Sequence, residues 1–251
     1  MKEIIAVINQ KGGVGKSTTA HSIGAGLTLK GFKVLYIDID AQSNLSYTLG
    51  ADLKSLTVLD LLKQTATATE VIQHTKQGDI IPASPGLAGA DGVITATGKE
   101  YRLKEALEPI KDNYDYIVID TPPALGILII NALTACTGVV IPAMADIYSL
   151  QGISQLHSTI QAVKQYCNPA LKVKGIVLTK YSNRTVLSRE VAEMIEATAG
   201  QYEMRLYKST IREAVAIREA QASQQNVFSY APRSKVASDY RALIEEIIEG
   251  N

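Results

Sequence analysis

Lys11-Gly12-Gly13-Val14-Gly15-Lys16-Ser17-Thr18 brings glycines, lysines and hydroxyls into one short stretch. That set suits a polyphosphate. Gly12, Gly13 and Gly15 let backbone N–H groups converge on phosphate oxygens without Cβ clashes. Lys16 can reach the β- and γ-oxygens, and the Ser17 hydroxyl is placed to ligate Mg²⁺. The strict G-x-x-x-x-G-K-[ST] spacing would put glycine at position 10, where this chain has Gln10, and a second lysine, Lys11, directly precedes the double glycine. A lysine there is either a solvated side chain or a cation on the rim of the site. From the rim it could reach phosphates from outside the loop, including those of a facing subunit.

Two further segments bring carboxylates. The run Val34–Ile37 leads into Asp38-Ile39-Asp40-Ala41-Gln42, and Tyr116–Ile119 closes on Asp120-Thr121-Pro122-Pro123. Asp38 and Asp40 are two apart and would face the same side of a continuing strand. One could anchor the metal shell while the other orients a water toward the γ-phosphate. An apolar strand closing on Asp is the Walker B arrangement, whose carboxylate holds Mg²⁺, often through water.

These groups work only if buried strands deliver them to one edge. Apolar runs at Ile4–Ile8, Val34–Ile37, Ile80–Ile81, Ile117–Ile119, Val139–Ile141 and Ile176–Leu178 predict strands. Runs rather than alternation mean cover on both faces. Apolar spacing predicts helices over Thr18–Lys30, Leu150–Tyr166, Arg189–Ala199 and Lys235–Glu249, the first stopping at Gly31. The Thr-, Ala- and Gly-rich region from Gly50 to Gly98 predicts short helices around Ile80–Ile81. The expected fold is α/β: one domain over residues 1–251, with a single doubly wound, mostly parallel sheet and helices on both faces. Ligands of such a sheet lie beyond the C-terminal strand ends, which puts Asp38 and Asp40 beside the phosphate loop.

Composition narrows the function. The 25 Lys and Arg balance 25 Asp and Glu, which argues against a strongly basic nucleic-acid protein. Cys136 and Cys167 stand too far apart for a C-x-x-C metal or redox motif and fit a reducing cytosol. No run approaches the ~18 apolar residues of a membrane span, and no leader-like segment opens the chain. The zero total hides a polarity, since Lys172 to Arg241 holds twelve basic residues against seven acidic. A basic surface for DNA is expected there, with Arg184, Arg212 and Arg218 as candidates.

Lys11–Thr18 with its extra lysine, Asp38–Gln42 and Ile119–Pro123 together resemble the deviant Walker A ATPases of the ParA/MinD superfamily. The likeness to ParA-type partition ATPases extends along the chain through Leu178-Thr179-Lys180-Tyr181, Asn183-Arg184-Thr185, Glu219-Ala220 and Tyr230-Ala231-Pro232-Arg233-Ser234. The resemblance implies a P-loop NTPase fold and ATP held by residues 11–18 and Thr179. It also implies an ATP-sandwich homodimer in which Lys11 crosses to the partner's phosphates. Asp40 would support hydrolysis with Lys16 and Lys11, while Ser17, Asp38 and Asp120 serve Mg²⁺. Slow intrinsic turnover, non-specific DNA binding by the ATP dimer through Arg184, a ParB-like activating partner and a cytoplasmic, nucleoid-associated location follow from the same likeness. The chain departs from the family at Arg212-Glu213-Ala214-Val215-Ala216, where many members have Pro-Arg-Asn-Val-Arg. It departs again at Gln221-Ala222-Ser223-Gln224-Gln225, where Pro-Ser-His-Gly-Lys is common. No helix-turn-helix precedes the phosphate loop, as in the short form of the family.

The rival reading is a membrane-cycling ATPase of the MinD kind, which ends in a basic amphipathic helix. Here the last ten residues hold three Glu and no Lys, a charge that anionic lipid repels. Their apolar positions read more simply as a core face, so no membrane partner is expected.

Overall fold

The computed structural model describes residues 3–250. Its strands are β1 (Glu3–Val7), β2 (Val34–Asp38), β3 (Gln73–Thr75), β4 (Gly78–Ile81), β5 (Tyr116–Asp120), β6 (Gly138–Ala143) and β7 (Lys172–Leu178). They form one sheet in the order β3-β4-β2-β5-β1-β6-β7. Every pairing is parallel except that of β3 with β4. The expected doubly wound α/β fold is the observed one. Strands β2, β5 and β6 are buried along their whole length, which is why they read as unbroken apolar runs.

Register places the chemistry. Asp120 pairs with Val7 on one side and with Asp38 on the other, so three strand ends finish in one row. From β1 the chain crosses to β2 on one side, while β6 lies on the other side of β1. The segment after β1 therefore opens at the point where the strand order reverses, the usual ligand position of such sheets.

Two buried apolar clusters cover the two faces of the sheet. The helix Lys16–Leu29 packs on one of them beside the C-terminal helix Lys235–Glu249. Contact is close there: a Cβ on Gly26 would sit 2.1 Å from the Ile244 Cδ1 atom. Val236, Tyr240, Leu243, Ile244 and Ile247 of the terminal helix are buried. Its apolar stripe is thus a core face, and among the described residues no helix is long and apolar enough to cross a membrane.

Local departures from expectation have physical causes. Strand β3, Gln-His-Thr, is short, polar and partly exposed, so no apolar run marks it. The helix Ile127–Ala135 has apolar residues on nearly every face, which erases a 3.6-residue period. The helix Ile147–Tyr166 begins before Leu150 because Asp146 caps it, accepting from the Ser149 N–H at 3.1 Å. Likewise Thr185 caps Val186–Gln201, ahead of the expected start at Arg189. The helix Lys235–Glu249 matches its expected bounds, and short helices lie between Gly50 and Gly98 as anticipated.

Candidate functional site

Asn9 fixes the start of the glycine-rich loop. Its Nδ2 donates to the Pro142 carbonyl at 2.7 Å, and its Oδ1 accepts from the Lys11 N–H at 2.9 Å. Gly13 and Gly15 hold φ of 76° and 86°, a left-handed backbone that favours glycine. The loop enters the helix Lys16–Leu29, whose first turn carries no acidic side chain. Its free N–H groups and dipole remain available to an anion. Val14 is buried and its carbonyl accepts from the Thr179 hydroxyl at 2.8 Å, so the end of β7 clips the loop in place. Thr179 lines the cavity, but its hydroxyl is committed to backbone oxygens.

Around this loop lies a cavity of about 650 Å³, lined by residues 12–18 and by Asp40, Gln42, Tyr47, Thr179, Arg218, Gln221 and Tyr240 among others. Lys16 is buried against it and its Nζ donates to the Lys11 carbonyl at 3.1 Å. Burial lowers the Lys16 pKa, while Asp120 and Asp40 pull the other way. The ammonium thus stands partly desolvated between a ring of N–H donors and two carboxylates.

Asp120 is fully buried, and neither carboxylate oxygen has a hydrogen-bond partner among the described residues. Burial raises its pKa well above the usual carboxylate range, Asp38 adds to the rise, and the nearby Ser17 hydroxyl opposes it. An orphaned buried carboxylate is costly unless a cation or water completes it. Among the described residues no group of three or more His, Cys, Asp or Glu could hold a metal. Ser17 and Asp120 offer oxygen donors side by side, a set that fits a hard, oxygen-seeking cation such as Mg²⁺ shared with phosphate oxygens.

Asp38 and Asp40 diverge. Asp38 is fully buried and does not line the cavity. Its Oδ1 accepts from the Asp40 N–H at 3.0 Å, and its Oδ2 accepts from the Ser46 N–H at 2.8 Å and hydroxyl at 2.7 Å. Burial pushes its pKa up to about 6 against these bonds. The expected metal role of Asp38 thus meets a carboxylate already spent on shaping the turn. Asp40 lines the cavity, with Oδ1 accepting from the Gln42 N–H at 3.0 Å.

Lys11 is partly exposed but not free. Its Nζ donates to Asp146 Oδ2 at 2.5 Å and lies 5.7 Å from the Tyr148 ring centre. The three basic candidates separate as well. Arg184 is exposed in the loop after β7. Arg212 is tied to Asp239 through Nε at 2.6 Å and an amino group at 2.8 Å. Arg218 lines the nucleotide-sized cavity. Sequence reasoning gave no site role to Asp146, Ser46 or Gln221, whose Nε2 donates to the Thr18 hydroxyl at 2.9 Å. Asp146 had a readable signal, an Asp before an apolar helical pattern. The other two are joined to the site only through space.

A family model described as an AAA domain matches residues 2–173. The chain is 42% identical over 253 aligned positions to the sporulation initiation inhibitor protein Soj of Bacillus subtilis, with 98% of each chain covered. It is 35% identical to the chromosome partitioning protein ParA of Myxococcus xanthus, covering 98% of this chain and 88% of that one. Among solved structures, cobyrinic acid a,c-diamide synthase from Mycobacterium smegmatis with bound ATP analog and magnesium superposes with a TM-score of 0.84. That match has 34% identity and covers 98% of this chain and 93% of the other.

Proposed function

The chain belongs to the ParA/MinD family of partition and positioning ATPases, and we propose that it is a ParA-type partition ATPase that couples Mg²⁺-ATP binding to dimerisation and DNA binding. The observation that carries this reading is the buried, unpartnered Asp120 carboxylate beside Ser17, at the foot of a glycine loop with a buried lysine. Partition is preferred to amide synthesis because identity to Soj, at 42%, exceeds the 34% to the diamide synthase.

Residues 12–18 bind the phosphates through backbone N–H groups and Lys16. Ser17 and Asp120 hold Mg²⁺, which when bound neutralises charge on the β- and γ-oxygens. Asp40 orients the attacking water, and Asp38 holds the turn that presents Asp40. The whole chain acts as one ATPase domain. Hydrolysis is slow until a ParB-like partner arrives, and DNA is released with the γ-phosphate. Calorimetry with ATP, with and without Mg²⁺, tests the base of this reading; absence of binding under both conditions overturns it.

Dimerisation requires Lys11 to exchange the Asp146 carboxylate for a partner's phosphate. Two Lys11–Asp146 pairs break per dimer, each with side chains less than a third exposed. Asp146→Asn keeps an N-cap while removing the ion pair. At up to ~1 kcal/mol per pair, it should tighten the ATP dimer by as much as about 25-fold. Lys11→Ala should leave the ATP-bound protein monomeric. Light scattering on both variants in an Asp40→Ala background reads this, and dimerisation by Lys11→Ala equal to its parent excludes the crossing lysine.

For DNA, Arg184 is the best-placed candidate because it is exposed and, among the described residues, no carboxylate ties it down as Asp239 ties Arg212. A dimer presents two copies. Each neutralised phosphate contributes about −0.9 to the log–log salt slope, so Arg184→Ala should flatten that slope by about 1.8 and weaken all sequences alike. Fluorescence anisotropy on two unrelated duplexes measures it; unchanged affinity at low salt removes Arg184 from the interface.

A further inference from the structure

Gln221, near the end of the helix Val215–Ala222, reaches the phosphate loop. Its Nε2 donates to the Thr18 hydroxyl oxygen at 2.9 Å, and both residues line the cavity. Thr18 sits in the first turn of the helix Lys16–Leu29, where the free N–H groups face the anion. A hydroxyl offers one hydrogen and two acceptor lone pairs. With Gln221 donating, the Thr18 hydrogen is not spent on Gln221 and can turn into the cavity.

The segment carrying Gln221 is braced from the other side. Gln224 has φ of 50°, in the left-handed region, which costs a non-glycine residue energy unless its surroundings enforce it. Two bonds enforce it here. The Gln224 Nε2 donates to the Tyr47 carbonyl at 2.8 Å, and the Gln224 carbonyl accepts from Gln77 Nε2 at 2.7 Å. Gln77 also donates to the Thr48 carbonyl at 2.6 Å. These bonds tie the helix Val215–Ala222 and the turn after it to Thr18 and to the short helix Asn44–Leu49 that follows the Asp38–Gln42 turn.

We propose that Gln221 is a positioning residue for the nucleotide: it holds the Thr18 hydroxyl as a hydrogen-bond donor toward a phosphate, with Gln224 and Gln77 fixing it in place. The inference rests on the ATP-binding reading given above. It makes Gln221 a determinant of affinity for ADP and ATP alike, since neither its contact nor that of Thr18 depends on a γ-phosphate.

The test is a double-mutant cycle read by calorimetry with ADP and Mg²⁺. Gln221→Met keeps the length of the side chain and removes the donor, and Thr18→Val keeps shape and removes the hydroxyl. In the natural background Gln221→Met should weaken ADP by about threefold to tenfold, the range of one neutral hydrogen bond. In the Thr18→Val background the same change should do almost nothing, whereas in Thr18→Ser it should retain its full effect. Melting of the nucleotide-free protein should be nearly unchanged by Gln221→Met, which a purely structural role would not allow. As a second measurement, the side-chain amide resonances of Gln221 should shift on ADP addition in the natural protein. Equal ADP affinity for Gln221→Met, an undiminished effect in Thr18→Val, or unmoved Gln221 resonances overturn the proposal. If the natural protein itself fails to bind ADP while remaining folded, the ATP-binding reading is what has failed.

Discussion

Lys16→Ala should lose ATP by roughly 10²- to 10⁴-fold while the protein stays folded. The Lys16 ammonium is the buried cation of the loop, held by the Lys11 carbonyl and flanked by Asp120 and Asp40. Two charge-assisted bonds to phosphate, at about 1.5–3 kcal/mol each, give about 3–6 kcal/mol, which is that range in affinity. The free protein loses little. Burial lowers the Lys16 pKa even against the pull of Asp120 and Asp40, so the site bears a desolvation cost that the two carboxylates offset only in part and a bound polyanion offsets further. Removing the cation also leaves Asp120 and Asp40 facing the phosphates uncompensated, which pushes the effect toward the upper end. Calorimetry gives the affinity and circular dichroism the fold; binding equal to that of the natural protein would take the phosphate role away from Lys16.

The phosphate loop was legible because its chemistry is local. Three glycines, two lysines and two hydroxyls within eight residues need only the flanking strand and helix to make sense. The strand ends were legible for a related reason: β2 and β5 are buried on both faces and stop at Asp38 and Asp120. What escaped depends on partners distant in sequence. Lys11 looked open to solvent or to another subunit until Asp146, 135 positions away, was seen to hold it. Asp38 and Asp40 looked equivalent by spacing, yet Ser46 claims one and the cavity the other. Gln221 reaches Thr18 across 203 positions. The helix Ile127–Ala135 was hidden for the opposite reason, since an element buried all round has no polar face to give it a period.

That separation of the two aspartates sets the largest expected effect on turnover. Asp40→Ala should lower ATP hydrolysis by about 10²-fold or more, the usual contribution of a positioned proton acceptor or water-orienting group. ATP affinity should stay within about threefold, because the loop N–H groups and Lys16 carry binding and none depends on Asp40 for its position. Asp38→Asn should behave differently. The Asp38 carboxylate accepts three bonds from Ser46 and Asp40, all made to buried donors. An amide at that position offers two donors and one oxygen, so it meets at least one of those N–H or O–H groups with another donor. The turn then loosens, and both stability and turnover fall together by the cost of an unsatisfied buried group, about 1–3 kcal/mol. Single-turnover hydrolysis with saturating ATP, paired with thermal melts, separates the two. A catalytic role predicts a rate loss without a melting shift for Asp40→Ala and a joint loss for Asp38→Asn. Normal single-turnover rates in Asp40→Ala would place the water-orienting group elsewhere in the cavity and make Asp40 part of the turn alone.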